Sequence, residues 1–296
     1  MKRRDFVDQI ITIGGMALVG IPQITCSTPS KYKMGLQLFT VRDVMAKDPI
    51  QTLKKVKALG YEDFETYGFN PETEKIYGFT VSEFKQVLDD LNLTTTSGHY
   101  RFSDYFHATE AELNRFVDQC IHASNILDAP YITWPWVHPE RRNAESFKRL
   151  ADKLNHIGEQ VRAAGLNFAY HNHGYEFQNW EGTTGHDILM RLTDSDLVKL
   201  QMDMYWVVHS GKTPKELVDQ QPGRYTMWHI KDMDKITRDY SELGNGSIDY
   251  TKLLPDPLKS GLEFYYIEQG GNFAVNSIKS VATSARYFKK NLQHLI

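Results

Sequence analysis

The chain has 296 residues, a hydrophobic content of 41% and a formal net charge of −3. That length holds one large domain or two small ones, and the apolar fraction is enough for a sizeable core. Acidic and basic residues are interspersed with no basic stripe in the body of the chain, which argues against nucleic acid as the main partner.

The N-terminus stands apart from the body. Met1-Lys2-Arg3-Arg4-Asp5-Phe6 is a charged start with paired arginines, and an apolar stretch from Ile10 to Ile21 follows. The stretch is too short for a comfortable membrane span. It reads as an export signal whose Arg-Arg-x-Phe opening resembles a twin-arginine leader, so a periplasmic location is expected. The alternative is an N-terminal helix in a cytosolic protein. The mature N-terminus is expected between about residue 20 and residue 32. Ile24-Thr25-Cys26-Ser27 is a degenerate lipoprotein cleavage site, which would make Cys26 a lipid anchor. Residues 1–31 are thus leader and tether, and residues 32–296 form a single domain. Cys120 is left as the only other thiol, at an apolar position of a helix, so no internal disulfide is expected and the residue packs.

Apolar, strand-like runs then recur: Lys33–Phe39, Tyr61–Thr66, Leu93–Gly98, Tyr131–Trp134, Asn167–His171, Val198–Met202, Tyr225–Ile230 and Leu262–Ile267. Between them lie stripes of helical period. Leu113, Phe116, Val117, Cys120 and Ile121 make one; Phe147, Leu150, Ala151, Leu154, Ile157 and Val161 another; Ile278, Val281, Ala285, Phe288 and Leu292 a last one. Asp48-Pro49 and Thr80 with Glu83 have the chemistry of helix starts, and Gly60 and Gly165 that of helix ends. A strand–helix unit repeated in this way predicts a (β/α)8 TIM barrel. A doubly wound open sheet is disfavoured, because the first strand runs on through Leu36 to Asp43 with no glycine-rich turn.

In such a barrel the reacting groups stand at strand C-termini and in the loops after them. Four segments of the second half end in metal-type side chains. Lys199-Leu200-Gln201-Met202 runs into Asp203, followed by the aromatic segment Met204–Gly211, predicted to be a loop. A carboxylate among aromatics needs a cation or a hydrogen-bond partner, although a helix-cap aspartate is the bland alternative. Tyr225–Trp228 runs into His229, with Lys231 two residues on and so on the same face. Lys231 could bind a substrate oxygen, stabilise an enolate, or pair with Asp232 or another acid. Leu262–Ile267 runs into Glu268, a ligand and possible base. The fifth run is crowded: His171 and His173 share a face, Asn172 takes the other, and Glu176 lies just beyond. Glu176 is the first choice for a further carboxylate ligand. A histidine could supply that contact instead, with Glu176 touching substrate, and spacing leaves both open. Glu65 and His99 end the second and third runs and are expected to touch substrate, as are His171, Trp206 and His209. Trp134, Trp136, Trp206 and Phe39 could form apolar walls against a sugar ring.

The segments Gly35–Asp43, Gly60-Tyr61-Glu62, Ser97-Gly98-His99, Tyr170-His171-Asn172-His173, Asp203-x-x-Trp206, His229-Ile230-Lys231-Asp232, Leu243–Asp249 and Glu268 together resemble the sugar phosphate isomerase/epimerase family of xylose-isomerase-like barrels. The resemblance spans residues 33–296 and implies a divalent cation, most often Mn2+ (with Mg2+, Co2+ or Zn2+ possible), held here by Glu176, Asp203, His229 and Glu268. Many members have a glutamate where His171 stands. The resemblance also implies proton abstraction next to a carbonyl, with Glu176, Glu268, His173 and Lys231 as the catalytic candidates. Isomerisation or epimerisation of a keto-sugar is the first expectation. β-Elimination from a 3-keto-glycoside, by a lyase, hydratase or dehydratase, is the second, and an inactive carbohydrate-binding barrel is the third. The leader favours an unphosphorylated keto-sugar or keto-glycoside as the small-molecule partner.

Overall fold

The computed structural model describes residues 31–180 and 182–296. The leader and Cys26 lie outside the described residues. Eight parallel strands close into a barrel: β1 (Gly35–Gln37), β2 (Asp63–Tyr67), β3 (Thr94–His99), β4 (Tyr131–Trp134), β5 (Asn167–His171), β6 (Val198–Asp203), β7 (Met227–Ile230) and β8 (Phe264–Ile267). Neighbours in space follow chain order, and β8 pairs back onto β1 with Gly35 opposite Tyr266. The chain is a TIM barrel, as its strand–helix periodicity predicts. No helix of the described residues is long and apolar enough to cross a membrane.

The longer helices wrap the barrel: α1 (Pro49–Ala58), α2 (Val81–Asp90), α3 (Glu110–Leu127), α4 (Ala144–Ala163), α5 (Gly185–Leu192), α6 (Met204–His209), α7 (Pro214–Gln220) and α8 (Ser277–Asn291). The chain starts and stops them locally. The Asp48 carboxylate accepts from the Gln51 amide at 3.0 Å, and Thr80 with Glu83 forms a complete capping box. Gly60 and Gly165 leave their helices at φ +95° and +78°. The three helical stripes named above face the strands, buried but for the half-buried Ile121 and Ile278, and Cys120 is a fully buried part of one of them.

Most strands differ from the predicted runs by one or two residues at an end, and two local departures have a visible cause. β1 stops at Gln37 because the Gln37 side chain accepts from the Phe39 amide at 3.0 Å and folds Leu38–Val41 into a 3-10 turn. The aromatic segment after Asp203 is the helix α6, not a loop, because Asp203 caps it by accepting from the Trp206 amide at 3.2 Å.

The barrel interior changes character along its axis. Tyr131, Ala169, Met227 and Tyr266 form an apolar plug toward the strand N-termini. Toward the C-termini every inward position turns polar: Gln37, Glu65, Ser97, Thr133, Gln201 and His229 are all buried. A single side chain shows that these positions meet, for Glu65 on β2 bonds partners on β1, β3, β6 and β7.

Candidate active site at the carboxyl mouth of the barrel

Glu65 is the fixed point of the site. Its Oε1 accepts from Ser97 Oγ and Gln201 Nε2, both at 2.6 Å. Its Oε2 accepts from Gln37 Nε2 at 2.6 Å and from His229 Nε2 at 2.5 Å, with His99 Nε2 at 3.0 Å. Burial alone would raise its pKa, but the two imidazoles outweigh burial and hold the carboxyl well below the usual range. Gln201 is oriented by this bond. With its amide nitrogen committed to Glu65, its Oε1 accepts from His99 Nε2 at 2.8 Å and from His171 Nδ1 at 2.9 Å.

Above this layer stand Asp203, His229, Lys231 and Glu268. His229 Nδ1 donates to Glu268 Oε2 at 2.6 Å, so both ring nitrogens face carboxylates. Burial opposes a charge on the ring, yet Glu65 and Glu268 together raise its pKa to about 9. The Lys231 ammonium is wedged between Asp203 Oδ2 at 2.5 Å and Glu268 Oε2 at 2.8 Å. Despite burial, these carboxylates raise the lysine, while Lys231 and His229 hold Glu268 well below the usual carboxylate range. Burial raises Asp203, and Lys231 offsets it in part. The pair is an ion pair by distance, but no hydrogen bond of acceptable angle reaches Asp203 Oδ2. His171 Nε2 lies 3.6 Å from the same oxygen.

This donor set fits a divalent cation. Asp203, His229 and Glu268 each offer a ligand atom, and the three atoms lie within 4.8 Å of one another. Two carboxylates and an imidazole suit Mn2+ or Zn2+. Glu65 on Nε2 fixes the ring so that Nδ1 is the nitrogen on the carboxylate side, which is the outer support that metal-binding histidines have. Asp203 Oδ2, which the Lys231 ammonium now faces at 2.5 Å, is the oxygen such an ion would take over. In this structure the Lys231 ammonium supplies the positive charge there, so an ion seated between the carboxylates requires that ammonium to withdraw. His99 and His171 form a second grouping that shares His229.

Three of the expectations need correction. Glu176 does not reach the cluster: its carboxylate accepts from Tyr170 Oη at 2.6 Å and from the His173 amide at 2.8 Å. It faces a small cavity against α5, outside the strand ring, and burial raises its pKa to about 7. Tyr170 points outward from β5, and the turn after the strand carries Glu176 back onto it. Glu65 cannot meet a sugar hydroxyl, because it is fully buried beneath His229 with both oxygens engaged. Trp134 is no wall either; it is fully buried and stacks on Phe102 at 5.4 Å. Lys231 does pair with acids, as one reading of it had it; they are Asp203 and Glu268, while the Asp232 carboxylate accepts backbone amides of Met233, Gly244, Gly246 and Ile248.

The other candidates line the mouth. His99, His171, His173, Lys231, Glu268 and Phe39 border a cavity of about 450 Å³. Trp206 and His209 border an adjoining one of about 650 Å³, and Trp136, His173 and Tyr240 border both. Burial keeps His171 and His173 well below the ordinary histidine pKa, and the neighbouring cations add to this. Sequence reasoning missed Gln201 and Tyr240. Gln201 lies two residues before Asp203 and shares its inward face, so alternation could have found it. Tyr240 enters from a long loop that carries no such signal.

Known proteins resemble this chain in the same terms. A family model described as a xylose isomerase-like TIM barrel matches residues 53–261. The inosose dehydratase of Clostridium perfringens is 30% identical over 169 residues, which cover 50% of this chain and 56% of the relative. The chain thus spans about half the length of the curated relatives it matches. A sugar phosphate isomerase/epimerase from Parabacteroides distasonis superposes with a TM-score of 0.78 at 24% identity, covering 90% of this chain and 99% of that one. The IOLI protein, with zinc bound to it, gives 0.69 at 15% identity, covering 89% and 99%. At those identities the structural likeness establishes the fold.

Proposed function

The chain belongs to the xylose isomerase-like TIM-barrel family, and on that premise we propose that it is an enzyme that enolises a keto-sugar or a sugar-like ketone. The observation that carries this reading is the meeting of Asp203, His229, Lys231 and Glu268 at the floor of a cavity at the barrel mouth. Proton loss beside a carbonyl places negative charge on the carbonyl oxygen, and fixed cations aimed at that oxygen lower the barrier. A divalent cation held by Asp203, His229 and Glu268 would polarise that carbonyl as a Lewis acid.

The protein groups divide the remaining work. Lys231, bordering the cavity, offers the developing oxyanion an ammonium. His173 takes the proton: its ring is kept neutral by burial and by Lys231, and it borders both cavities. Glu268 is held ionised by two cations, which suits it to hold charge. Glu65, through His229 and Gln201, positions the imidazoles without touching substrate. Return of the proton gives isomerisation or epimerisation. Loss of a β-leaving group gives elimination, a reading supported by the inosose dehydratase relative. A leader of the kind expected in residues 1–31 would place this chemistry outside the cytoplasm, which favours an unphosphorylated substrate.

The test is solvent exchange. Incubated in D2O with a panel of keto-sugars and 3-keto-glycosides, the enzyme should incorporate deuterium beside the carbonyl of at least one of them, read by NMR. Exchange should fall by at least ~100-fold in His173→Gln, the lower range for a general base. A panel that binds but never exchanges would mark the barrel as a carbohydrate binder.

A further inference from the structure

The loop after β4 fixes a guanidinium at the mouth of the barrel. Arg142 follows the turn Pro139–Arg141 and precedes α4. Its Nε donates to the Val137 carbonyl at 3.0 Å, and its Cζ lies over the Tyr175 ring, 3.8 Å from the centre. Tyr175 closes the triangle, since its Oη accepts from the Val137 amide at 2.9 Å. His173 covers the other face of the same ring at 5.3 Å. These contacts hold the side chain in place and use one of its N–H groups, an arginine having five. Both Nη groups have no hydrogen-bond or ion-pair partner among the described residues.

Arg142 borders the larger of the two cavities at the mouth, about 650 Å³, and no aspartate or glutamate borders it. The other lysine and arginine at the mouth are compensated. Lys231 lies between Asp203 and Glu268, and Arg101, which borders the smaller cavity, pairs with Asp104 at 2.7 Å. Gln178 and Ser210 border the larger cavity with Arg142. The Gln178 side chain has no partner among the described residues, and Ser210 Oγ reaches only the Gly174 carbonyl, at 3.5 Å. Two free Nη groups on a fixed plane match the two oxygens of a carboxylate through parallel N–H···O bonds. A phosphate carries close to twice that charge, and no second lysine or arginine borders the cavity.

We propose that the larger cavity is a carboxylate site built on Arg142, and that the ketone enolised here is an acidic sugar. Its carboxylate rests on the Arg142 Nη groups with Gln178 and Ser210 beside it, and its carbonyl faces Lys231 in the smaller cavity. The placement of the carbonyl rests on the reading of the Lys231 cavity as the reacting site. The carboxylate site stands on the free guanidinium alone. The cavities adjoin at Trp136, His173 and Tyr240, so one small molecule reaches both. His173, the group that takes the proton, then lies between the anion and the carbonyl.

Calorimetric titrations with D-glucose, D-glucuronate and D-glucose 6-phosphate test it, because the three differ only in the group on one carbon. D-Glucuronate should bind about tenfold tighter than D-glucose, the lower end for hydrogen bonds to a charged group because Arg142 is half-buried. The gain should shrink as NaCl is raised. Arg142→Gln should bring the ratio to about one. Ser210→Asp sets a carboxylate in the same cavity with Arg142 in place, and it should remove the preference as well. Equal affinity for D-glucose and D-glucuronate overturns the proposal. So does no binding of any probe, or a preference that survives either substitution. Tighter binding of D-glucose 6-phosphate than of D-glucuronate makes the site one for phosphate and overturns the carboxylate assignment. Binding is read without turnover, so a protein that prefers D-glucuronate yet exchanges no deuterium keeps this site and loses the enolisation reading.

Discussion

Lys231 is the residue on which the electrostatics of the site turn. It is buried to 4% exposure and is the cation shared by Asp203 and Glu268, of which Glu268 also pairs with His229. Lys231→Met should therefore destabilise the metal-free protein by about 3–5 kcal/mol, the cost of leaving a buried charge uncompensated. The same variant should be rescued by added Mn2+ or Zn2+ to a greater degree than the unaltered protein, because the competing ammonium is gone. Thermal melts with chelator and with each metal check both statements. A variant that melts low and stays low with metal would show that the carboxylates hold no ion. His229 gives a pH dependence at the same scale. Its pKa is raised to about 9 in the fold, against about 6.5 unfolded. Its stabilising contribution is complete below pH ~6.5 and is lost as pH rises through ~9. Denaturant titrations of chelated protein from pH 6 to 10 should show that decline, and His229→Gln should flatten it.

At the scale of elements, the segment after β7 is ordered by one side chain. The Asp232 carboxylate gathers the amides of Gly244, Gly246 and Ile248 at 2.9–3.1 Å, pulling the distant end of the loop against the barrel. A side chain at position 246 would collide with it, since an added Cβ lies 2.1 Å from Asp232 Oδ1. The same loop presents Tyr240, which borders both cavities at the mouth. Asp232→Ala should cost on the order of 3 kcal/mol, since bonds to a charged acceptor are lost together. It should also raise hydrogen exchange across residues 240–249 while leaving the amides of β7 protected. Equal loss of protection in β7 would mean that the loop and the strand open as one unit. Helix α6 illustrates a double use: Asp203 caps it with one oxygen and faces Lys231 with the other. The bland reading of that aspartate, a helix cap, is met in the structure, and the same side chain also faces a cation, Lys231.

At the scale of the whole molecule, the candidate ligands come from three different strand ends and share no local segment. Closure of the barrel is what brings them within 4.8 Å. Elemental analysis after growth with Mn2+ should find about one cation per chain, and Asp203→Asn and Glu268→Gln should each lose it. Retention of the ion in both variants would move the site elsewhere.

The amino-acid sequence by itself determined the architecture and the end of the barrel at which chemistry can occur. Strands buried on two faces must be apolar runs, helices on the outside must carry a stripe, and both patterns are local. It also marked Asp203, His229 and Glu268, because a charged group closing an apolar run is costly unless something waits for it. Only the tertiary structure decided which polar groups meet. Glu176 is turned outward onto Tyr170 by a short turn that spacing does not encode. Glu65 lies beneath His229 because β2 and β7 face each other across the closed ring. Lys231 stands between Asp203 and Glu268 because opposite charges buried together must pair, and the chain pattern cannot say which partners will be within reach.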